Sequence, residues 1–198
     1  MQDLIAVASR LGNRGWTPAT SSNFSCKLNT EKPAFAITQS GRDKAQLALD
    51  DLMVIDESGL ALEPKTAKPS AETVLHLKLY NLFPCGAVLH THSVLATATS
   101  MHEKANSKLE FEGFELLKAF TGIKTHDTCR FVPVIENSQD MNEIWRDVEA
   151  YLPDPLCLPA FLIRGHGAYA WGEDVFAAQR HLEALEHLLE CRRVLRWP

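Results

Sequence analysis

Three apolar residues, Ala87-Val88-Leu89, run directly into His90-Thr91-His92-Ser93. No other stretch limits the chain as much. The run has the make-up of a buried strand, and in a strand residues two apart share a face. His90 and His92 can therefore aim two imidazoles at one point. A second stretch, Ile163-Arg164-Gly165-His166-Gly167, also follows an apolar run, and its glycines leave room for close backbone approach. A fold that joins the two gains three neutral imidazoles. That is the ligand set of a catalytic zinc site with an open position, not of a closed structural one.

Composition narrows the class. The chain has 198 residues, 45% apolar and 23% charged, enough for one compact domain over 1–198 with a sizeable core. The net charge of −5, with no long basic run, argues against a nucleic-acid partner. No apolar segment approaches the roughly 20 residues of a membrane span. The start, Met1-Gln2-Asp3-Leu4, has neither the basic residues nor the apolar stretch of a signal peptide. Five cysteines are odd in number and widely spaced, which fits a reducing cytoplasmic location. The sequon Asn23-Phe24-Ser25 then reads as chance.

Helical periodicity covers residues 2–13, about 70–82 with Ser70 as N-cap, from Ser93 to before Asn106, around 114–120, 140–151 and 173–195. Strands are expected at 23–28, 34–38, 52–55, 87–92, 131–134, 158–164 and 168–171. Pro133 suggests that its strand lies at an edge. Helices and strands alternate without a regular βαβ beat, so a mixed sheet with helices on both faces is expected. Neither a GxGxxG nor a P-loop sequence occurs.

Of the remaining histidines, His181 and His187 lie among glutamates on the last helix and read as a solvated face. His76 follows Glu72 by one helical turn; both can face a metal, with helix packing as the commoner outcome. Three loops look suited to an oxyanion: Ala19-Thr20-Ser21-Ser22-Asn23, Thr38-Gln39-Ser40-Gly41-Arg42-Asp43-Lys44 and Lys68-Pro69-Ser70-Ala71-Glu72. Hydroxyls, turn N–H groups and a helix start favour a phosphate there. Glu72 and Glu115 are both candidates for the acid/base. Their commoner roles are first-turn stabilisation for Glu72 and an i,i+3 pair with Lys118 for Glu115. Spacing does not choose between them. Phe24, Trp171 and Phe114 are apolar enough to face a ligand, though core packing is the commoner role for each.

Taken together, Ser21-Ser22-Asn23-Phe24-Ser25, Ser40-Gly41-Arg42-Asp43-Lys44, Pro69-Ser70-Ala71-Glu72-Thr73, His90-Thr91-His92 and Gly165-His166-Gly167 resemble the class II aldolase/adducin superfamily. The wording of residues 68–73, 88–93, 114–118 and 164–172 is most similar to its dehydratases, which act on a methylthio-bearing ketose phosphate in methionine salvage. The resemblance implies a three-layer α/β/α fold with a mixed, largely antiparallel sheet. It implies one zinc per subunit on His90, His92 and His166. The substrate phosphate would sit near Ser22, Asn23, Ser40, Gly41 and Ser70. Glu115 would be the dehydratase acid/base, whereas in the sugar-phosphate aldolases the glutamate matching Glu72 has that role. A homotetramer with sites near subunit contacts is implied as well. The alternatives are an aldolase or epimerase on the same scaffold and a non-catalytic, adducin-like module.

Overall fold

A computed structural model describes residues 1–66 and 69–195. In chain order the elements are α1 (Gln2–Asn13), β1 (Asn23–Lys27), β2 (Ala34–Thr38), β3 (Leu52–Asp56), β4 (Ala61–Glu63), α2 (Thr73–Leu82) and β5 (Ala87–Thr91). Then follow α3 (Val94–His102), β6 (Ser107–Glu112), β7 (Cys129–Ile135), α4 (Met141–Glu149), β8 (Ala160–Ile163), β9 (Gly167–Gly172) and α5 (Val175–Leu195). Short 3₁₀ turns include Pro18–Thr20, Lys44–Gln46 and Glu115–Ala119. Among the described residues the strands form one sheet in the order β4-β3-β2-β1-β5-β9-β8-β7-β6. Only β7 and β8 pair in parallel; the other ladders are antiparallel. This is the expected mixed, largely antiparallel sheet.

Alternation along the strands divides the core in two. Phe24, Cys26, Ala87 and Leu89 face α1, α3 and α5. Phe35, Val88, Phe161, Tyr169 and Trp171 face α2 and α4. Each face buries apolar area, the main favourable term in folding. The helices thus lie on both faces, as expected for three layers.

The structure corrects several readings. Pro133 is not at an edge, because β7 lies between β6 and β8. The proline is tolerated because β7 pairs on the β8 side through Val134 and Ile135 and, farther back, through Phe131, skipping Pro133. The edge on that side is β6, whose Leu109 and Phe111 are buried between exposed Lys108, Glu110 and Glu112. That alternation is present in the sequence, although the expected strands do not include it. The segment near 114–120 is a single 3₁₀ turn. Ser70 accepts from the N–H of Glu72, one step before α2 begins, and does not cap the helix itself.

Two residues assigned to a solvated face of α5 are buried. Glu186 accepts a 2.6 Å hydrogen bond from Ser93 Oγ, and burial pushes its carboxyl up to about 7. His181 is 1% exposed. Its Nδ1–H donates to the Trp171 carbonyl at 2.7 Å, and its Nε2 accepts from the Thr121 N–H at 3.1 Å. That geometry needs a neutral ring. Burial holds the His181 pKa below the usual imidazole value, against an opposing pull from the Trp171 carbonyl. Below about pH 6.5 the unfolded chain takes up a proton that folded His181 refuses, so stability falls as pH drops. Urea unfolding at pH 7.5 and 5.5 should show this loss in the wild type and a smaller loss in His181→Gln.

Candidate metal centre and anion cavity

Sheet register assembles the histidines. His90 lies in β5 opposite Tyr169 of β9, and Thr91 opposite Ala168. Its Nδ1–H donates to the Ala168 carbonyl at 3.0 Å, which fixes the tautomer and leaves Nε2 with a free lone pair. A three-ring stack holds His90 from behind: Phe161 on Tyr169 at 4.8 Å, and Tyr169 on His90 at 4.1 Å. His92 lies one residue past β5, where its N–H donates to the Trp16 carbonyl. His166 sits in the turn between β8 and β9. Gly165 there has φ +63°, and a Cβ on Gly167 would lie 1.9 Å from the Thr91 carbonyl oxygen. Only glycine permits this approach of β9 to the end of β5.

The three rings meet with centroids 4.6 Å (His90–His92), 4.9 Å (His90–His166) and 4.6 Å (His92–His166) apart. Glu72 joins them. Its Oε1 is 2.9 Å from His166 Nε2 and 3.6 Å from His90 Nε2. One ligand atom from each of Glu72, His90, His92 and His166 falls within 4.8 Å of the others. Burial pulls His90 well below its usual pKa and His92 down to about 4, so both are neutral donors at pH 7. Burial pushes Glu72 upward, but hydrogen bonds from His166 and Asn23 and the adjacent His90 ring outweigh it, and its pKa falls to about 2. The group fits a metal. The His90 and His166 Nε2 atoms lie 3.3 Å apart beside the carboxylate, and a cation that replaced the His166 Nε2 proton would be shared by both nitrogen lone pairs and Glu72.

Beside this group the three oxyanion loops converge. A cavity of about 130 Å³ is lined by Thr20, Ser21, Ser22, Asn23, Thr38, Ser40, Gly41 and Ser70, with Glu72 and His92 in the same wall. Lys68 lies outside the described residues. Ala19, Thr20 and Ser22 adopt left-handed φ of 52°, 60° and 76°. Such strain costs about 1–3 kcal/mol per residue and collects at functional sites. Lys44 braces the loops: fully buried, its Nζ donates to the carbonyls of Thr20 at 3.1 Å and Arg42 at 2.7 Å. Ser21 Oγ is buried without a partner. Sequence reasoning does not single out Ser21 or Lys44. Their loops stand out, but serine repeats and a lysine beside an arginine carry no spacing that distinguishes them.

Glu115 stands apart from the group. Its side chain is 68% exposed and pairs with Lys118 and His126. His76 does not face the histidines either, and is buried against Asn23 and Ser25. Phe24 and Trp171 are core residues, and Phe114 packs against the core.

The family described as class II aldolase and adducin N-terminal domain matches residues 2–192. The chain belongs to that family. A methylthioribulose-1-phosphate dehydratase from Xanthomonas euvesicatoria pv. vesicatoria (strain 85-10) is 49% identical over 95% of the chain and 85% of its own length. One from Stenotrophomonas maltophilia (strain R551-3) is 48% identical over 98% and 90%. Among solved structures, an l-fuculose-1-phosphate aldolase from Thermus thermophilus superposes with a TM-score of 0.75 at 26% identity, over 98% of the chain and 93% of its own. A sugar-phosphate aldolase from Thermotoga maritima shares the fold, with a TM-score of 0.64 at 19% identity over 100% and 96%.

If the four-residue group holds the metal, His166→Ala should reduce bound metal from one per chain to a small fraction while leaving the circular dichroism spectrum native. Elemental analysis after exhaustive dialysis checks it. Unchanged metal content would place the site elsewhere.

Proposed function

We propose that this protein, one class II aldolase-like domain over residues 1–198, dehydrates 5-methylthioribulose 1-phosphate to 2,3-diketo-5-methylthiopentyl 1-phosphate. This is a hydro-lyase step of methionine salvage. The observation that carries it is the sharing of one wall: Glu72 and His92 belong both to the metal-binding group and to the anion cavity. A phosphorylated ketose anchored in the cavity therefore lies beside the metal donors. The likeness to dehydratases at 48–49% identity over nearly the whole chain favours this reaction over the others of the family.

Zinc is the metal we assign, one per subunit, on His90, His92 and His166, because neutral imidazoles suit it. When bound, it supplies Lewis-acid polarisation of a ketose oxygen. The hydroxyls of Ser22, Ser40 and Ser70 and the Gly41 N–H hold the phosphate, while Asn23 supports Glu72. Dehydration needs a base for the C3 proton and an acid for the departing C4 hydroxyl. One carboxyl does both: it takes the C3 proton and returns it to the C4 oxygen, water leaves, and the enol product tautomerises to the diketone.

Glu72 suits this shuttle poorly. One of its oxygens accepts from Asn23 and the other faces the histidine group, so neither is free to take a substrate proton. We assign Glu72 to the metal group and the shuttle to Glu115. On one chain Glu115 lies outside the group, so it acts as Glu115 of the partner subunit in a homotetramer. Exposed apolar side chains support such a contact beside the site: Val94 (81%) and Met101 (56%) lie seven apart on α3, directly after His92, and Leu116 neighbours Glu115. No described helix is long and apolar enough to cross a membrane; we place the enzyme in the cytoplasm.

The second reading is a sugar-phosphate aldolase, favoured by the position of Glu72 in the metal group. Product analysis separates the two. The zinc-loaded protein should convert methylthioribulose 1-phosphate to a diketone and release no aldehyde from fuculose 1-phosphate; the reverse result overturns the dehydratase. Glu115→Gln should lower kcat by about 10²- to 10⁴-fold with metal content unchanged. Mixed tetramers of E115Q and H92A, each inactive alone, should regain about a quarter of wild-type activity if the two residues act from different chains. No recovery would place Glu115 on the same chain as the histidines it serves.

A further inference from the structure

A line of polar side chains runs from Glu72 into the apolar core between α2 and β1. His76 and Tyr80 share one face of α2, and Glu72, which caps its start, is spaced four before His76 on the same side. Asn23 and Ser25 are two apart and share one face of β1. They interleave. Asn23 Nδ2 donates to Glu72 Oε2 at 2.5 Å, and Asn23 Oδ1 meets His76 Nε2 at 2.5 Å. His76 Nδ1 meets Ser25 Oγ at 2.7 Å, and Ser25 Oγ meets the Tyr80 hydroxyl at 2.8 Å. His76 and Ser25 are 0% exposed, Asn23 4% and Tyr80 5%.

The direction of every bond follows from one end. An ionised carboxylate only accepts, so the Asn23 amide must turn its NH₂ toward Glu72. Its Oδ1 then faces His76, whose Nε2 must carry the proton. Nδ1 is left as an acceptor and takes the Ser25 hydroxyl proton, and Ser25 Oγ accepts in turn from Tyr80. All donors point toward Glu72, and each polarises the next. The two carboxylate oxygens are thereby divided. Oε2 is tied to Asn23, and Oε1 is left facing His166 and His90.

We infer that His76 is a positioning residue, which through Asn23 fixes the Glu72 carboxylate so that Oε1 faces the histidine group. It never touches substrate or metal. Without the Nε2–H donor the Asn23 amide has nothing to hold its orientation, and a flipped amide would set its oxygen against the carboxylate. The inference rests on the proposal that Glu72 belongs to the working site.

Three measurements test it. His76→Leu keeps apolar volume and removes the donor, whereas His76→Gln sets an amide N–H where Nε2 stood. Leucine should lower kcat and metal affinity by about 10- to 100-fold, the usual loss for a group that orients a metal ligand. The Ser22, Ser40 and Ser70 hydroxyls and the Gly41 N–H assigned to the phosphate make no bond to His76, so KM should stay within about threefold. Glutamine should recover most of both losses. If H76L does not fold, H76Q against His76→Asn makes the same comparison, because asparagine reaches only the Nδ1 position. In the wild-type apoprotein, ¹⁵N NMR should show His76 as the neutral Nε2-protonated tautomer. Wild-type kcat and metal affinity in H76L, a folded H76Q no better than H76L or H76N, or an Nδ1-protonated His76 would each overturn the assignment. The tautomer needs neither substrate nor metal. A wild type that fails to dehydrate the ketose would therefore remove the proposed reaction and leave the positioning role to be decided by the NMR.

Discussion

The antiparallel pairing of β5 with β9 is the interaction on which the rest depends. Its register sets Thr91 beside Ala168, closes the His90 hydrogen bond to the Ala168 carbonyl and lays Tyr169 under the imidazole. The pairing can reach the strand ends only because residue 167 has no side chain. His166 leaves β9 at that end and arrives beside His90 and His92. The metal group is therefore a consequence of strand register. A one-residue slip would turn His90 to the opposite face of the sheet.

The other half of the site is held by a different kind of force. The loop around 17–22 carries three non-glycine residues in left-handed conformations, which a free loop would relax. Lys44 opposes that relaxation by donating to carbonyls of two separate loops from a fully buried position. Burial lowers the lysine pKa, while Asp43 and Asp51 draw it back up. The cavity is thus preformed, and its hydroxyls need no reorganisation to meet an anion.

How much of this is legible in the sequence varies with the range of the interaction. Strands such as 34–38 and helices such as 2–13 follow from local periodicity and match within a residue or two. The histidine group is readable because a strand repeats every two residues and because Gly165 and Gly167 flank His166. The edge strand β6 has the alternation, yet it is absent from the expected strands. Pro133 misleads because its tolerance depends on which residues of β8 pair with β7, a fact of tertiary register. His181 and Glu186 look solvated among glutamates on α5. Their partners, the Trp171 carbonyl on the preceding strand and Ser93 in a distant part of the chain, lie outside the helix that the periodicity describes. Spacing shows that Glu72 and His76 share a helix face, but not that Asn23 and Ser25 interleave with them.

That interleaving bears on why two carboxylates persist in one small protein. A carboxyl that passes protons needs a pKa near the working pH, whereas one that holds a cation needs to stay ionised. Burial opposes ionisation of Glu72, but its partners favour the second role, with Asn23 on one oxygen, His166 on the other, and a polarised line behind. None of these partners can be relaxed without leaving a buried polar group unpaired, which costs more than the bond itself contributes. Glu115 carries no such constraint. Its partners are an exposed lysine and an exposed histidine, which a docking surface can displace at little cost. The carboxylate fixed by the chain's own core is suited to hold charge, and the one left outside is free to have its pKa set by whatever covers it.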